Sequence, residues 1–226
     1  MAEFDWKKAS ATEWDKRSDS WHKRSASMWN EGSRKEIIPF FLQYLKANNH
    51  VCDLGCGDGM GAYKLSTHAI NVVGVDVSDE MLIKANRVNQ TNDNQFIKGD
   101  LTELPFVEHH FDGVLAINSM EWTENPYNAV KEAVRILKPG GYGCFGILGP
   151  TAGPRNNSFP RLLGEKVICN TMMPWEFEQL MQGLPMKKVA EQGVYKKAAE
   201  SLPKGGLPLP LQQALSFMWI FIFQKE

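Results

Sequence analysis

Between about residue 50 and residue 149, short β-branched apolar runs alternate with segments whose apolar residues recur at helical spacing. That alternation predicts repeated βαβ units and a parallel sheet. His50 to Cys56 reads as a buried strand breaking into a glycine turn, and Ala62, Leu65 and Ala69 follow on one helical face. Asn71 to Val77 is a second strand. Ser78 caps the helix behind it, whose Met81, Leu82, Ala85 and Val88 share a face. Gln95 to Lys98 is a short third strand; Phe111 to Ile117 is a fourth, continuously apolar and so buried on both sides. Asn125 caps the next helix with Pro126 at its first position, and Lys138-Pro-Gly-Gly141 ends it before a fifth strand, Tyr142 to Leu148.

The flanks are less regular. Ser33 and Glu36 have capping-box spacing ahead of Ile37, Phe41, Tyr44 and Leu45, with Pro39 placed to kink or restart that helix. After residue 149 the periodicity fades through Gly149-Pro150, Gly153-Pro154 and Pro160. A helix is expected over 174 to 183, a sixth strand over Lys188 to Lys196, and an aromatic seventh over Leu215 to Gln224. Leu202 to Pro210, broken by Leu-Pro steps and a Gly-Gly pair, reads as an exposed linking loop.

Composition narrows the function classes. With 226 residues the chain suits one sizeable domain, and 25 Lys plus Arg against 26 Asp plus Glu leave no basic field that would draw it onto nucleic acid. The charges of the first 35 residues are mixed in sign, as on a solvated helical face. No apolar run reaches the length of a membrane span or forms the core of a signal peptide, so the expected compartment is the cytoplasm. Cys52, Cys56, Cys144 and Cys169 show neither a Cys-x-x-Cys pair nor a neighbouring His, which points to reduced structural thiols and no metal site.

The strongest chemical signal is Val51-Cys-Asp-Leu-Gly-Cys-Gly-Asp-Gly59. Glycines at 55, 57 and 59 leave main-chain amides open at the carboxyl end of a buried strand, where a ligand can approach the backbone closely. A dinucleotide-binding G-x-G-x-x-G would need glycine where Met60 stands, so a nicotinamide-dependent oxidoreductase is the weaker alternative. Asp53 would repel a pyrophosphate yet suit a ligand carrying ammonium and sulfonium charges. Asp76, ending the second strand, can accept hydrogen bonds from both hydroxyls of an adenosine ribose.

Asp53-Leu-Gly-Cys-Gly-Asp-Gly59, Gly74-Val-Asp-Val-Ser78, Gly99-Asp-Leu101, Phe111-Asp112 and Leu137-Lys-Pro-Gly-Gly141, in this order, resemble the class I S-adenosylmethionine-dependent methyltransferases, specifically their small-molecule, type-11-like group (the ubiquinone and menaquinone methyltransferases among them). The resemblance spans residues 36 to 149. It implies a doubly wound, Rossmann-like α/β fold: a seven-stranded sheet, mostly parallel with an antiparallel last strand, and helices on both faces. It implies one methyltransferase domain over 1–226: N-terminal helices to 46 acting as a lid or cap, a cofactor-binding βα core over 47–149, a substrate-facing insert with helix and strand over 150–214, and the last strand over 215–226.

The same resemblance implies S-adenosylmethionine as cofactor, S-adenosylhomocysteine as product and a small-molecule methyl acceptor. The turn at Gly55, Cys56 and Gly57 would underlie the methionine part, Asp76 would hold the ribose, and Val77 and Met81 would flank the adenine. Asp100 and Leu101 would meet the adenine edge, and the backbone of Asn118 would face the methionine part. Glu121 or His22 is the candidate general base, should the acceptor need one. Trp6, Trp14, Trp21 and Trp29 recur at seven or eight residues and make either a packing stripe or a lid, with Trp29, or Arg24 beside it, the candidate to touch the methyl donor. Met172, Met173, Trp175 and Phe177 are read either as an adaptable substrate wall or as core. A catalytically silent binding module of the same fold is a further alternative.

Overall fold

The computed structural model describes residues 4–226. Its sheet has seven strands, β1 (His50–Leu54), β2 (Asn71–Asp76), β3 (Gln95–Lys98), β4 (Phe111–Ile117), β5 (Leu137–Leu148), β6 (Met186–Tyr195) and β7 (Ser216–Lys225), in the order β3-β2-β1-β4-β5-β7-β6. β7 runs antiparallel between β5 and β6; the pairings among β1 to β5 are parallel. The doubly wound, mostly parallel sheet expected from the sequence is therefore present, antiparallel last strand included.

Alternation along the strands divides the core into two layers. In β7, Phe221 and Phe223 face the layer with Cys52, Val114, Phe145 and the helices α5 (Pro126–Ile136) and α6 (Pro174–Met181). Ile220 and Ile222 face the opposite layer, where Val51, Leu115 and Cys144 meet α2 (Ile37–Leu42) and α3 (Met60–Ser66). Phe177 of α6 is fully buried against Phe145 and Phe221, with Met172 beside them, so these two residues serve as core.

Two expected caps form: Ser78 accepts from the Met81 amide at the start of α4 (Asp79–Val88), and Asn125 accepts from Asn128 at the start of α5. The Ser33–Glu36 capping box does not. The long helix α1 (Trp6–Asn30) is followed by turns through residue 36, and α2 begins at Ile37 without a side-chain cap, with Pro39 in its first turn.

The linking-loop expectation fails at its end. After the short α7 (Lys197–Glu200), a helix α8 (Leu209–Leu215) starts with Pro210 in its first turn, where a fixed φ is compatible and no amide is needed. Residues 153–163, expected to be irregular, wind as 3-10 turns.

Candidate active site

The glycine turn after β1 opens where the sheet order reverses, between β1 and β4, the place at which doubly wound sheets bind ligands. Gly55, Gly57 and Gly59 have φ of 72°, 53° and 75°, a region L side chains rarely adopt. The amides of Gly55 and Cys56 both donate to the Val75 carbonyl, at 2.8 and 3.0 Å, tying the turn to β2. A Cβ on Gly55 would lie 2.4 Å from that of Ser119, so the loop after β4 packs directly on the turn.

Asp76 organises the floor. Its Oδ2 accepts from the Gly57 amide at 2.8 Å and its Oδ1 from the Ser78 amide at 3.0 Å. One lone pair on each oxygen thereby stays available to a ligand. Burial raises the carboxyl above its ordinary range, and the two amides pull it back.

Around these residues lies a partly open cleft. Gly55, Cys56, Gly57, Asp76, Val77 and Met81 line one part of it, and Asp100, Leu101, Asn118 and Trp29 another. The structure thus gathers the expected cofactor residues in one place, with the exception of Asp53. That carboxylate is buried behind the turn: a Cβ on Gly61 would lie 3.1 Å from its Oδ2 and equally close to the Trp29 ring. Burial, with Asp76 and Asp58 nearby, pushes it up to about 7, against the pull of Arg34.

The α1 helix forms one wall. Trp6, Ser10, Trp14, Ser18, Trp21 and Ser25 follow one another at three or four residues and lead to Trp29, so large and small side chains alternate along a single face. The small ones let the helix approach. Ser25 donates to Asp58 Oδ1 at 2.8 Å and His22 Nδ1 meets Asp58 Oδ2 at 2.7 Å, joining α1 to the glycine turn. Ser78 donates to Asp15 at 2.6 Å, and Lys84 pairs with Asp19 at 2.8 Å, joining it to α4.

In the sequence Arg34 is one charge of a mixed, solvated segment; in the structure it is buried and lines the cleft. Its guanidinium lies over the rings of Trp21 and Trp29 and has, among the described residues, no carboxylate within ion-pair distance. Desolvation lowers its pKa to about 10, opposed by the more distant Asp58, Asp53 and Glu121. No sequence motif marks this residue, because its burial comes from how α1 and the following turns dock.

Neither candidate base lines the cleft. His22 is turned to Asp58. Glu121 is fully buried, with Oε1 accepting from the Leu148 amide at 2.8 Å and Oε2 without a partner; burial raises it to about 7. Its neighbour Ser119 does line the cleft, and its buried Oγ is also unpartnered. Arg24 bonds its own helix at the Ser20 carbonyl. Among the described residues, none from 150–214 lines the cleft; Trp122, Thr123, Glu124 and Lys7, unassigned from the sequence, do.

Residues 52–145 match the family model described as a methyltransferase domain. Among curated proteins, the chain is 29% identical over 131 residues to 27-O-demethylrifamycin SV methyltransferase of Amycolatopsis mediterranei, covering 56% of this chain and 48% of that protein. It is 31% identical to the chloroplastic 2-methyl-6-phytyl-1,4-hydroquinone methyltransferase of Arabidopsis thaliana, over 54% of this chain and 36% of that one. It is 29% identical to a biotin biosynthesis bifunctional protein of Teredinibacter turnerae over 62% of this chain and 25% of the other. The aligned part thus spans a quarter to about half of these relatives' length. Among solved structures, the methyltransferase bound to its Trm112 activator from Haloferax volcanii superimposes with a TM-score of 0.72 at 19% identity, over 96% of both chains, a likeness of fold.

Proposed function

We propose that this chain, whose residues 52–145 match the methyltransferase-domain family, is a class I methyltransferase that binds S-adenosylmethionine in the cleft at the β1–β4 switch point and transfers its methyl group to a small-molecule acceptor. The observation carrying the proposal is that three complementary features share one cleft: a left-handed glycine turn, the doubly held Asp76, and the uncompensated cation Arg34.

The fit is chemical. Asp76 has the acceptor capacity for two ribose hydroxyls, Val77, Met81 and Leu101 offer apolar surface to an adenine, and Asp100 lies at the edge of that surface. Asp100 Oδ1 is engaged by the amide and hydroxyl of Thr102, which fixes the carboxylate's orientation. Arg34 calls for an anion, and the cofactor's carboxylate supplies one; a desolvated guanidinium facing a carboxylate makes a strong, oriented bond. Asp53, Asp58 and Asp76 set negative charge around the turn that favours the cofactor's ammonium and sulfonium.

When bound, the cofactor supplies an already activated methyl group for in-line displacement. The protein's own part is alignment and exclusion of water. α1 and Trp29 cover the side of the cleft over the glycine turn, while Ser119 offers its free hydroxyl from the loop after β4. Glu121, shut behind that loop, acts as a positioning residue: its bond to Leu148 fixes the turn that carries Ser119 and Trp122.

Calorimetric titration with S-adenosylmethionine, S-adenosylhomocysteine and NADH, on the protein and on Asp76→Ala, tests the proposal. Micromolar binding of the two sulfur cofactors that is lost in the variant is the expected result. Absence of that binding, or preference for NADH, rejects the reading.

A further inference from the structure

Five of the chain's seven tryptophans, Trp6, Trp14, Trp21, Trp29 and Trp122, line this one cleft. Trp21, Trp29 and Arg34 lie at the glycine turn, where a Cβ on Gly57 would come 3.4 Å from Trp21 Nε1. From Trp21 a connected wall leads away through Trp14 and Trp122 to Trp6. Trp14 meets Trp21 edge to face at 5.7 Å and Trp122 at 4.7 Å, and Trp6 donates its indole N–H to the Trp122 carbonyl at 3.0 Å. Trp14, Trp21 and Trp122 are held ring against ring and Trp6 by its bond to the main chain, so little side-chain freedom is lost when a ligand settles against them.

We propose that the methyl acceptor is a planar, conjugated ring compound, neutral or anionic, that stacks on one indole face of the Trp6–Trp14–Trp21–Trp122 wall and meets its neighbours edge on. The inference rests on the methyltransferase reading and extends it to the class of substrate. Flat indole surfaces reward flat, polarisable partners over saturated ones of equal size.

Aromatic walls also attract cations, and the charges decide between the two. Trp14 and Trp122 already hold the Arg17 guanidinium, at 5.7 and 5.5 Å from their centres; Arg17 is itself paired with Glu13 and does not line the cleft. Lys7 adds a cation to the lining. Of the lining carboxylates, Asp58 and Asp76 lie at the glycine turn, where the cofactor's own cations would meet them, and Asp100 is oriented by Thr102 at the adenine end; the exposed Glu124 is the one that follows Trp122. A cationic amine on Trp14 or Trp122 would therefore meet rings that already face one guanidinium, with Lys7 as a second cation in the lining, whereas a neutral or anionic ring compound meets no such repulsion.

The wall also assigns the acceptor side to the N-terminal helix and the loop after β4, in place of residues 150–214.

The test uses the full chain saturated with S-adenosylhomocysteine, whose own binding is measured separately so that failure of the cofactor reading is seen as such. Hydroxybenzoates and hydroxynaphthoates are titrated against cyclohexanecarboxylate and benzyltrimethylammonium, followed by tryptophan fluorescence and calorimetry. At least one aromatic acid is expected to bind about tenfold or more tightly than the saturated acid, and to lose about tenfold in Trp14→Leu and in Trp6→Leu. Two variants are used because one may disturb α1; circular dichroism checks that each is folded. Equal binding of the saturated acid, tightest binding of the ammonium probe, no binding of any aromatic acid, or affinities unmoved in both folded variants would each overturn the proposal.

Discussion

The Arg34 guanidinium lies 4.8 Å from the centre of the Trp21 ring and 5.3 Å from that of Trp29, and its one hydrogen bond among the described residues reaches Asn118 Oδ1 at 3.5 Å. Beyond these, Asp58, Asp53 and Glu121 act on the cation only from outside ion-pair distance. A buried guanidinium so placed favours an anionic group in the cleft.

Arg34→Met should accordingly weaken S-adenosylhomocysteine about tenfold to a hundredfold, the worth of a charged hydrogen bond. The affinity of 5′-methylthioadenosine, which lacks the amino-acid part, should stay unchanged. Calorimetry on both ligands checks this, and equal losses would show that Arg34 only shapes the cleft.

Gly55→Ala combines a φ of 72° with a Cβ placed 2.4 Å from that of Ser119. The backbone alone costs about 1–3 kcal/mol, and the overlap adds to it. Thermal denaturation should show a clear loss of stability, with cofactor binding abolished. A variant as stable as the parent and still binding would contradict the geometry of the turn.

Glu121 predicts a pH dependence of the unliganded protein. Its folded-state value, raised from 4.5 to about 7 by burial, means the native state holds a proton that the unfolded chain releases. The associated stability is complete below about pH 4.5 and is lost as pH rises toward 7, on the order of 3 kcal/mol by linkage. Denaturant titrations at pH 5 and pH 8 should therefore fall further apart in the parent than in Glu121→Gln. An identical difference in the two proteins would count against a protonated Glu121.

Ser25→Ala removes a buried hydroxyl from Asp58 and should loosen α1 by about 1–3 kcal/mol while sparing the sheet. Hydrogen exchange resolves the two: faster exchange confined to residues 6–30 is expected, whereas uniform acceleration would make the contact part of the global core.

The sequence revealed the site wherever the main chain dictates it. Gly55, Gly57 and Asp76 stand at positions that a strand, a left-handed turn and a second strand impose in order, and the structure brings them together. Arg34 was illegible because a charge among charges carries no sign of its burial. The tryptophan spacing is visible in the sequence, but the serines between them, which let α1 approach, carry no signal that they belong to the same stripe. Asp53 shows the converse limit: the sequence marks its charge and hides its depth, since strand periodicity says which face a residue takes and not what lies over it. The proline-rich stretch before β7 concealed a helix because Pro210 stands in the first turn, where proline is harmless.

The order of the sheet has a consequence for how the molecule is made. β6 pairs only with β7, and β7 stands between β6 and β5. As the chain leaves the ribosome, β6 emerges with nowhere to dock, and the five strands before it offer Leu137–Leu148 as an open edge until residues 216–225 arrive. Loss of that last segment would therefore cost the sheet two strands rather than one, and a stalled chain would expose a long apolar edge to whatever lies nearby.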